Sequence, residues 1–125
     1  MKTLIAGWPR TGKTTRANAL DSATEIVRHT DDLIPSQDWS AISETVSYWF
    51  DEDYSVIEGV AVPRALRKWL ARNKSGKPCD ELVYLTMPHV SLSAGQAAMG
   101  KGCDKVFNEI KGELIRRGVK IIVNE

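Results

Sequence analysis

The sequence predicts an α/β protein built on a parallel sheet. Three observations support this fold class: short apolar runs recur along the chain, helical patterns fall between them, and a glycine-rich loop directly follows the first run. Strands that alternate with helices imply a parallel sheet with helices on both faces. At 125 residues the chain is long enough for one core and too short for two, so we expect a single domain over residues 1–125.

Five strands are predicted from segments rich in Val, Ile, Leu or Tyr that are bounded by polar or turn residues. They are Thr3–Ala6, Glu25–His29, Tyr54–Glu58, Glu81–Thr86 and Val119–Val123. In such sheets, ligands bind beyond the carboxyl ends of the strands, so the residues that follow each strand are the first candidates for a site.

Apolar residues at helical spacing predict three helices between the later strands. Their inward faces comprise Trp39, Ile42, Val46, Trp49 and Phe50 in the first, Leu66, Trp69 and Leu70 in the second, and Val106, Phe107, Ile110 and Leu114 in the third. The three tryptophans in these sets are predicted to lie in the core or at its edge. Glycines among small residues make residues 91–102 the loosest stretch, which predicts a lid-like segment at about 91–105 or a plain surface loop.

The stretch GWPRTGKTT satisfies the pattern G-x-x-x-x-G-K-[ST], which binds nucleotide phosphates through backbone N–H groups. It follows a predicted strand and opens a predicted helix, as that pattern requires, whereas an ordinary glycine turn is the alternative. Lys13 would reach the β- and γ-phosphates, and the Thr14 hydroxyl would take a position on Mg²⁺. The predicted nucleotide-binding residues of this stretch are Gly7, Trp8, Pro9, Arg10, Thr11, Gly12, Lys13, Thr14 and Thr15.

Composition indicates a soluble globular protein, with 42% hydrophobic and 26% charged residues and a net charge of +1. No apolar run approaches the roughly 18 residues of a membrane span, so we expect no membrane contact. The first predicted strand begins at Thr3, which leaves no room for a secretory signal. Cys79 and Cys103 lack metal-ligand spacing, so we expect both to be free thiols in a protein of the cytoplasm. We also expect a monomer or a small homo-oligomer.

Charge is unevenly distributed along the chain. Eight acids and no Lys or Arg occur from Asp31 to Glu58, and six bases and no acid occur from Arg64 to Lys77. The basic segment is interpreted either as a solvated face or as a surface that meets phosphates.

Acids at two predicted strand ends suit phosphoryl transfer, which requires a phosphate cradle, a metal ion and a base beside the attacking hydroxyl. Asp31 and Asp32 end the second strand, where one would act on the acceptor hydroxyl and the other would serve the metal, although such a pair also caps helices. Glu58 ends the third strand. The predicted Mg²⁺ site comprises Thr14, Glu58 and the aspartate that does not act on the acceptor, which is Asp32 if Asp31 is the base.

Together, the segments GWPRTGKTT, HTDDLIP and SVIEGVAVPRALRKWL resemble small P-loop kinases related to the polynucleotide 5′-kinase domain. That group includes zeta-toxin-like, chloramphenicol phosphotransferase-like and gluconate-kinase-like enzymes. The resemblance implies a three-layer P-loop NTPase fold with strand order 2-3-1-4-5, ATP as donor, Mg²⁺ as cofactor and Asp31 as the catalytic aspartate. It also matches an acid-Gly-x-x-x-x-Arg turn to Glu58, Gly59 and Arg64, although relatives usually carry Asp at the first position.

The predicted lid departs from this family, because relatives place arginines there. No Arg lies between Arg72 and Arg116, and the segment offers only Lys101 and Lys105 to contact the nucleotide phosphates. Lysine supplies charge without the bidentate fork of arginine.

The sequence therefore predicts an ATP- and Mg²⁺-dependent phosphotransferase in which Lys13, Asp31 and Arg64 are catalytic. Its acceptor is predicted to be a polynucleotide 5′-end, a nucleoside or a nucleotide, and Arg64 is predicted to meet the phosphates of an acceptor that carries them. A GTPase is disfavoured, because Asn73-Lys74-Ser75-Gly76 fails the fourth place of N-K-x-D. The alternative is a non-catalytic or weakly hydrolytic protein that binds ATP or another NTP and acts in regulation or assembly.

Overall fold

A computed structural model describes residues 1–13, 17, 26–33 and 38–124. Five strands lie within these residues: β1 (Thr3–Gly7), β2 (Val27–His29), β3 (Val56–Glu58), β4 (Glu81–Leu85) and β5 (Lys120–Val123). Three helices are described over their whole length: α1 (Trp39–Trp49), α2 (Val62–Arg72) and α3 (Ala94–Arg116). A 3-10 turn, Thr30–Leu33, follows β2. Among the described helices, none is long and apolar enough to span a membrane.

The strands form one all-parallel sheet in the order β2-β3-β1-β4-β5, which confirms the predicted α/β class and strand order. Strand β1 lies at the centre and pairs with β4 over five residues and with β3 over three. All five of its residues are buried, as expected for a strand covered on both faces. The predicted strand ends differ from the observed ones by one or two residues, and Glu25 lies outside the described residues.

All three described helices pack on one face of the sheet. The connections β2 to β3, β3 to β4 and β4 to β5 run in the same direction across the sheet, so right-handed crossovers place their helices on the same side. The larger core cluster accordingly joins Leu4 and Ala6 to side chains of α1, α2 and α3. On the opposite face, Ile5 and Val83 pack with Ala17, which is the one described residue of the helix predicted after the glycine-rich loop.

The tryptophan predictions are confirmed for two of the three helical tryptophans. Trp69 is buried, and Trp49 packs against the core from its edge. The prediction for Trp39 is wrong, because its surface is 43% exposed. Trp39 is the first residue of α1, at the end of the helix. Ile42 and Val46, one and two turns later, are the residues of α1 that pack in the core.

The acidic and basic runs of the sequence meet between neighbouring helices. Helices α1 and α2 lie side by side, and the bases of α2 face acids on α1 and α3. The ion pairs are Lys68–Glu44 at 3.5 Å, Arg72–Asp51 at 3.8 Å and Arg67–Glu109 at 3.5 Å. Such exposed pairs contribute little to stability, on the order of 0–1 kcal/mol each. They do, however, match much of the charge that the basic segment would otherwise present to a phosphate-bearing molecule.

The prediction that residues 91–102 form a loose stretch is wrong. Helix α3 begins at Ala94 and continues without a break to Arg116. Ser93 accepts a hydrogen bond from the Gln96 N–H, and the Gln96 side chain accepts one from the Ser93 N–H, which forms a complete capping box. The glycines of this segment allow close packing rather than flexibility. A Cβ at Gly100 would lie 2.2 Å from the Trp8 ring, and one at Gly102 would lie 2.9 Å from the Arg64 guanidinium.

Candidate functional site: a cavity beside the glycine loop

The loop of residues 7–13, here called the glycine loop, leaves β1 through a tight backbone contact. Gly7 has φ +132°, and a Cβ there would lie 2.0 Å from the Leu85 carbonyl oxygen. The Trp8 N–H donates to that same carbonyl at 2.9 Å. The first glycine of the motif is therefore required by the approach of β4, and it fixes the point at which the loop turns away from the sheet.

Beyond this turn the sign of the backbone angle φ alternates from residue to residue. Arg10 has φ +61° and Gly12 has φ +85°, whereas no residue between or beside them has a positive φ. Alternation of this kind aims successive N–H groups into a concavity that binds anions. Within the described part of the chain, no group accepts a hydrogen bond from the N–H groups of Arg10, Thr11 or Gly12. The loop thus presents donors that a phosphate could satisfy.

Lys13 closes the glycine loop and is only 7% exposed. Its Nζ donates to the Trp8 carbonyl oxygen at 2.5 Å and lies 3.4 Å from the Thr11 hydroxyl. Burial lowers the pKa of the Lys13 amine, and the nearby Glu58, Cys103 and Asp31 partly oppose that shift. The amine therefore lies folded over its own loop, close to two carboxylates.

A cavity of about 390 Å³ opens beside the glycine loop. Its lining residues are Pro9, Arg10, Gly12 and Lys13 from the loop, together with Asp31, Trp39, Glu58, Val60, Gln96 and Met99. The structure thus brings Lys13 of the predicted loop and Asp31 of the predicted acidic pair to one space. Asp32, the predicted metal ligand, is exposed and is not among the lining residues.

Asp31 and Glu58 are brought together by a close contact between the ends of β2 and β3. Gly59 has φ +147°, and a Cβ there would lie 1.7 Å from the Thr30 hydroxyl oxygen, so only glycine permits this approach. Glu58 is 2% exposed, and its carboxylate lies 2.7 Å from His29 Nδ1. Because a carboxylate only accepts, the ring nitrogen is the donor in this pair.

The predicted magnesium ion was tested against the side chains that are present. The described residues contain no group of three or more His, Cys, Asp or Glu side chains that could hold a metal ion. Mg²⁺ often binds through one or two carboxylates together with substrate phosphates and water, and it does not need an all-protein cage. Asp31 and Glu58 in the cavity lining suit that kind of site, and Thr14 lies outside the described residues together with Thr15.

Trp8 was predicted to contact the nucleotide. Its side chain packs instead against Gly100 of α3, and its Nε1–H donates to Asp104 at 2.9 Å. The Tyr84 hydroxyl donates to the same carboxylate oxygen at 2.6 Å. Trp8 is not among the residues that line the cavity, and it ties the glycine loop to α3 and β4.

The remaining predicted cations also lie away from the cavity lining. Arg64 is near the start of α2, and its guanidinium approaches Gly102 and the buried Cys103. Burial raises the pKa of Cys103, and Arg64 and Lys13 partly oppose that shift, which places the thiol near both cations. Lys101 and Lys105 are exposed on α3. None of these three bases lines the cavity.

Sequence reasoning missed four lining residues: Trp39, Val60, Gln96 and Met99. No motif marks them, because α1, the turn after β3 and the first turns of α3 meet only in the folded chain. It also missed His89, whose N–H donates to the Arg10 carbonyl at 2.8 Å and whose ring would contact a Cβ at Gly12. The position of His89 shortly after β4 was the available signal, since strand ends border the site in such sheets.

In comparisons with known proteins, no protein-family model matches the sequence and no curated protein matches it.

Proposed function

We propose that this protein is a P-loop kinase that transfers the γ-phosphate of ATP to a hydroxyl group of a small acceptor. The observation that carries the proposal is one cavity lined by the glycine loop, Lys13 and Asp31. The loop supplies N–H donors and a lysine for the phosphates, and the aspartate lines the same cavity. Cradle, cation and base are the parts that phosphoryl transfer needs, since the protein supplies positioning and charge rather than covalent chemistry.

Lys13 would exchange its hydrogen bond to the Trp8 carbonyl for contacts to the β- and γ-phosphates. Asp31 would accept the proton of the acceptor hydroxyl as its oxygen bonds to the γ-phosphorus, while the bond from that phosphorus to the β–γ bridging oxygen breaks and ADP leaves. Magnesium, when bound with the nucleotide, would neutralise phosphate charge, and Asp31 and Glu58 are the lining carboxylates that would hold it. His29 would keep the Glu58 carboxylate in place through their 2.7 Å contact.

ATP binding tests the first half of this proposal. The variant Lys13→Ala should lose most ATP affinity and keep the fold, because it removes the buried cation of the loop. Lys101→Ala is the matched control, since Lys101 is an exposed lysine on α3 that does not line the cavity. Calorimetry should give parental affinity for the control. Parental ATP affinity in Lys13→Ala would show that the loop does not bind phosphates as proposed.

Phosphate transfer tests the second half. Asp31→Asn should retain ATP affinity and lose transfer, as expected when a group that acts only on the acceptor is removed. Asp32→Asn is the neighbouring control and should retain both, because Asp32 is not among the lining residues. Labelled ATP and a panel of hydroxyl acceptors provide the assay. If Asp32→Asn alone loses transfer, the two aspartates exchange roles.

A second candidate function is nucleotide binding without transfer. One observation favours it: Arg64, Lys101 and Lys105 do not line the cavity, so the described lining holds only Lys13 and Arg10 to stabilise charge on a transferred phosphate. The labelling experiment separates the two functions, since a pure binding protein binds ATP and yields no labelled acceptor.

A further inference from the structure

The part of the cavity beyond the glycine loop differs from the loop in charge. The described basic side chains in the lining, Lys13 and Arg10, both belong to the loop. Beyond it, the charged lining residues are Asp31 and Glu58. A phosphate group on the acceptor would therefore meet two carboxylates and no described cation outside the loop.

The basic segment of α2 contributes no cation to this lining. Three of its four bases, Arg67, Lys68 and Arg72, pair with acids on α3, on α1 and shortly after α1, and none of the four lines the cavity. Arg64 points towards Gly102 and Cys103. The charges around the acceptor side thus favour an uncharged molecule over one that carries phosphates.

Trp39 gives this side of the cavity an open aromatic surface. It is 43% exposed, and within the described residues its ring makes no hydrogen bond or cation–π contact. The other three tryptophans are engaged: Trp8 and Trp69 donate to Asp104 and Asp51, and Trp49 stacks with Arg28 at 4.7 Å. An exposed indole at a cavity is a stacking platform for a planar ring.

Gln96 adds hydrogen-bonding capacity to the lining of the same cavity. Its Oε1 accepts from the Ser93 N–H at 3.0 Å, which fixes the amide in one orientation and leaves the NH₂ group available to donate. Val60 and Met99 complete an apolar wall. A volume of about 390 Å³ is at the lower end for small-molecule sites and too small for a long polymer.

From these features we infer that the acceptor is a small hydroxyl compound with a planar, uncharged ring and no phosphate, of which a nucleoside is the simplest example. Its ring would stack on Trp39 and accept a hydrogen bond from Gln96, and its hydroxyl would point at Asp31. This inference rests on the proposed kinase function, and it narrows the predicted acceptors, which are a polynucleotide 5′-end, a nucleoside or a nucleotide, to those without a phosphate. It makes Trp39 the main specificity-determining residue.

The test compares acceptors on the full-length protein. The probes are the four ribonucleosides, ribose as the compound that lacks a planar base, and a 5′-hydroxyl oligonucleotide as the charged polymer. The binding of each probe is measured by calorimetry in the presence of a non-hydrolysable ATP analogue. We expect at least one nucleoside to bind about 10-fold more tightly than ribose, as a single stacking contact provides. Equal binding of ribose, or tighter binding of the oligonucleotide than of every nucleoside, would overturn the inference.

Variants of Trp39 test whether its indole contacts the ring of the acceptor. Trp39→Ala should weaken nucleoside affinity about 10-fold, whereas Trp39→Phe should retain most of it. Tyr48→Ala is the control, because Tyr48 is an exposed aromatic on the same helix that stacks on Arg72 at 4.1 Å and does not line the cavity. Unchanged nucleoside affinity in Trp39→Ala would contradict the inference. A loss of ATP affinity in this variant would also contradict it, because the Trp39 indole would then stack on the adenine of ATP and not on the acceptor.

These outcomes are separable from failure of the proposed function. If Lys13→Ala loses ATP affinity and nucleosides do not bind the parent, the acceptor inference fails and nucleotide binding stands. If ATP does not bind the parent at all, the proposed function fails first.

Discussion

Replacing Gly100 by alanine tests whether α3 is a fixed part of the site or a mobile lid. Gly100 is buried in α3, and an added Cβ would lie 2.2 Å from atoms Cδ2 and Cε3 of the Trp8 ring. The ring cannot retreat easily, because the Trp8 N–H donates to Leu85 and its Nε1–H donates to Asp104. Either the helix or the glycine loop must therefore move.

The size of the effect follows from the geometry. Carbon atoms in contact lie about 3.5 Å apart, so a gap of 2.2 Å requires a displacement of more than 1 Å. Overpacking of this kind costs about 1–3 kcal/mol. Loss of the Trp8–Asp104 hydrogen bond, in which the acceptor is charged, would add about 1.5–3 kcal/mol. Alanine favours a helix interior over glycine by about 0.5–1 kcal/mol, which offsets only part of the sum.

The matched control is Gly112→Ala, on the same helix, where an added Cβ would meet nothing within 4 Å. This variant should stabilise the protein by about 0.5–1 kcal/mol, because it gains helix propensity without any clash. Urea unfolding of the parent and both variants measures the two effects with opposite sign. If Gly100→Ala is stabilised as much as Gly112→Ala, the contact between Trp8 and α3 does not exist and the segment is free to act as a lid.

Three further predictions address the network around the site and the pH dependence of folding. Asp104→Ala should destabilise the protein by about 2–4 kcal/mol in urea unfolding, because it leaves two buried donors without their shared acceptor, whereas Asp104→Asn should cost less. His29→Ala should lower kcat for transfer while ATP affinity changes little, because the loss acts through Glu58; an unchanged kcat would assign the pair a purely structural role. Burial raises the pKa of Cys79 from 9.0 to about 12, so its contribution to stability is intact below pH 9 and is lost as the pH rises through 12. Unfolding measured from pH 8 to 11 should therefore show a steeper decline in the parent than in Cys79→Ala, and parallel curves would contradict the shift.

The strands were predictable because each is an apolar run of a few residues with polar neighbours. The central strand, Thr3–Gly7, is buried along its whole length and reads as such in the sequence. The strand order came from the resemblance to P-loop kinases, and right-handed crossovers account for why the described helices then share one face. Strand ends were less accurate, since the last ladder hydrogen bond depends on the partner strand.

Helix α3 was mispredicted because glycine has two opposite uses. Gly100 and Gly102 were interpreted as flexible, whereas they let Trp8 and Arg64 approach the helix axis. The sequence did carry the correct signal, since Ser93 and Gln96 have the spacing of a capping box and mark where the helix begins. A local signal of helix initiation is more reliable here than glycine content, because only the tertiary structure decides whether a glycine is in contact or free.

The two halves of the candidate site differ in how far the sequence predicts them. The glycine loop is contiguous, so its spacing alone predicts a phosphate cradle, and Asp31 follows a strand that the sequence also predicts. The opposite wall is assembled from Trp39, Gln96 and Met99, which belong to two helices far apart in the sequence. They line one cavity because α1 and α3 lie on the same face of the sheet, and no local pattern encodes that arrangement.

The charge runs illustrate the same limit and bear on the acceptor. Six bases between Arg64 and Lys77 form a basic segment in the sequence, but three of them pair with acids that are distant in the sequence: Glu44, Asp51 and Glu109. A run of like charge in the sequence of a helix therefore does not predict the charge of the folded surface or the charge of its ligand. The acids on the facing helices must be known first. Once these pairs are formed, the cations at the cavity are those of the glycine loop, and the acceptor side keeps only carboxylates among its described charges. Positive charge thus lies where a nucleotide's phosphates would bind, and the carboxylates and the open indole of Trp39 lie where a neutral ring and its hydroxyl would be received.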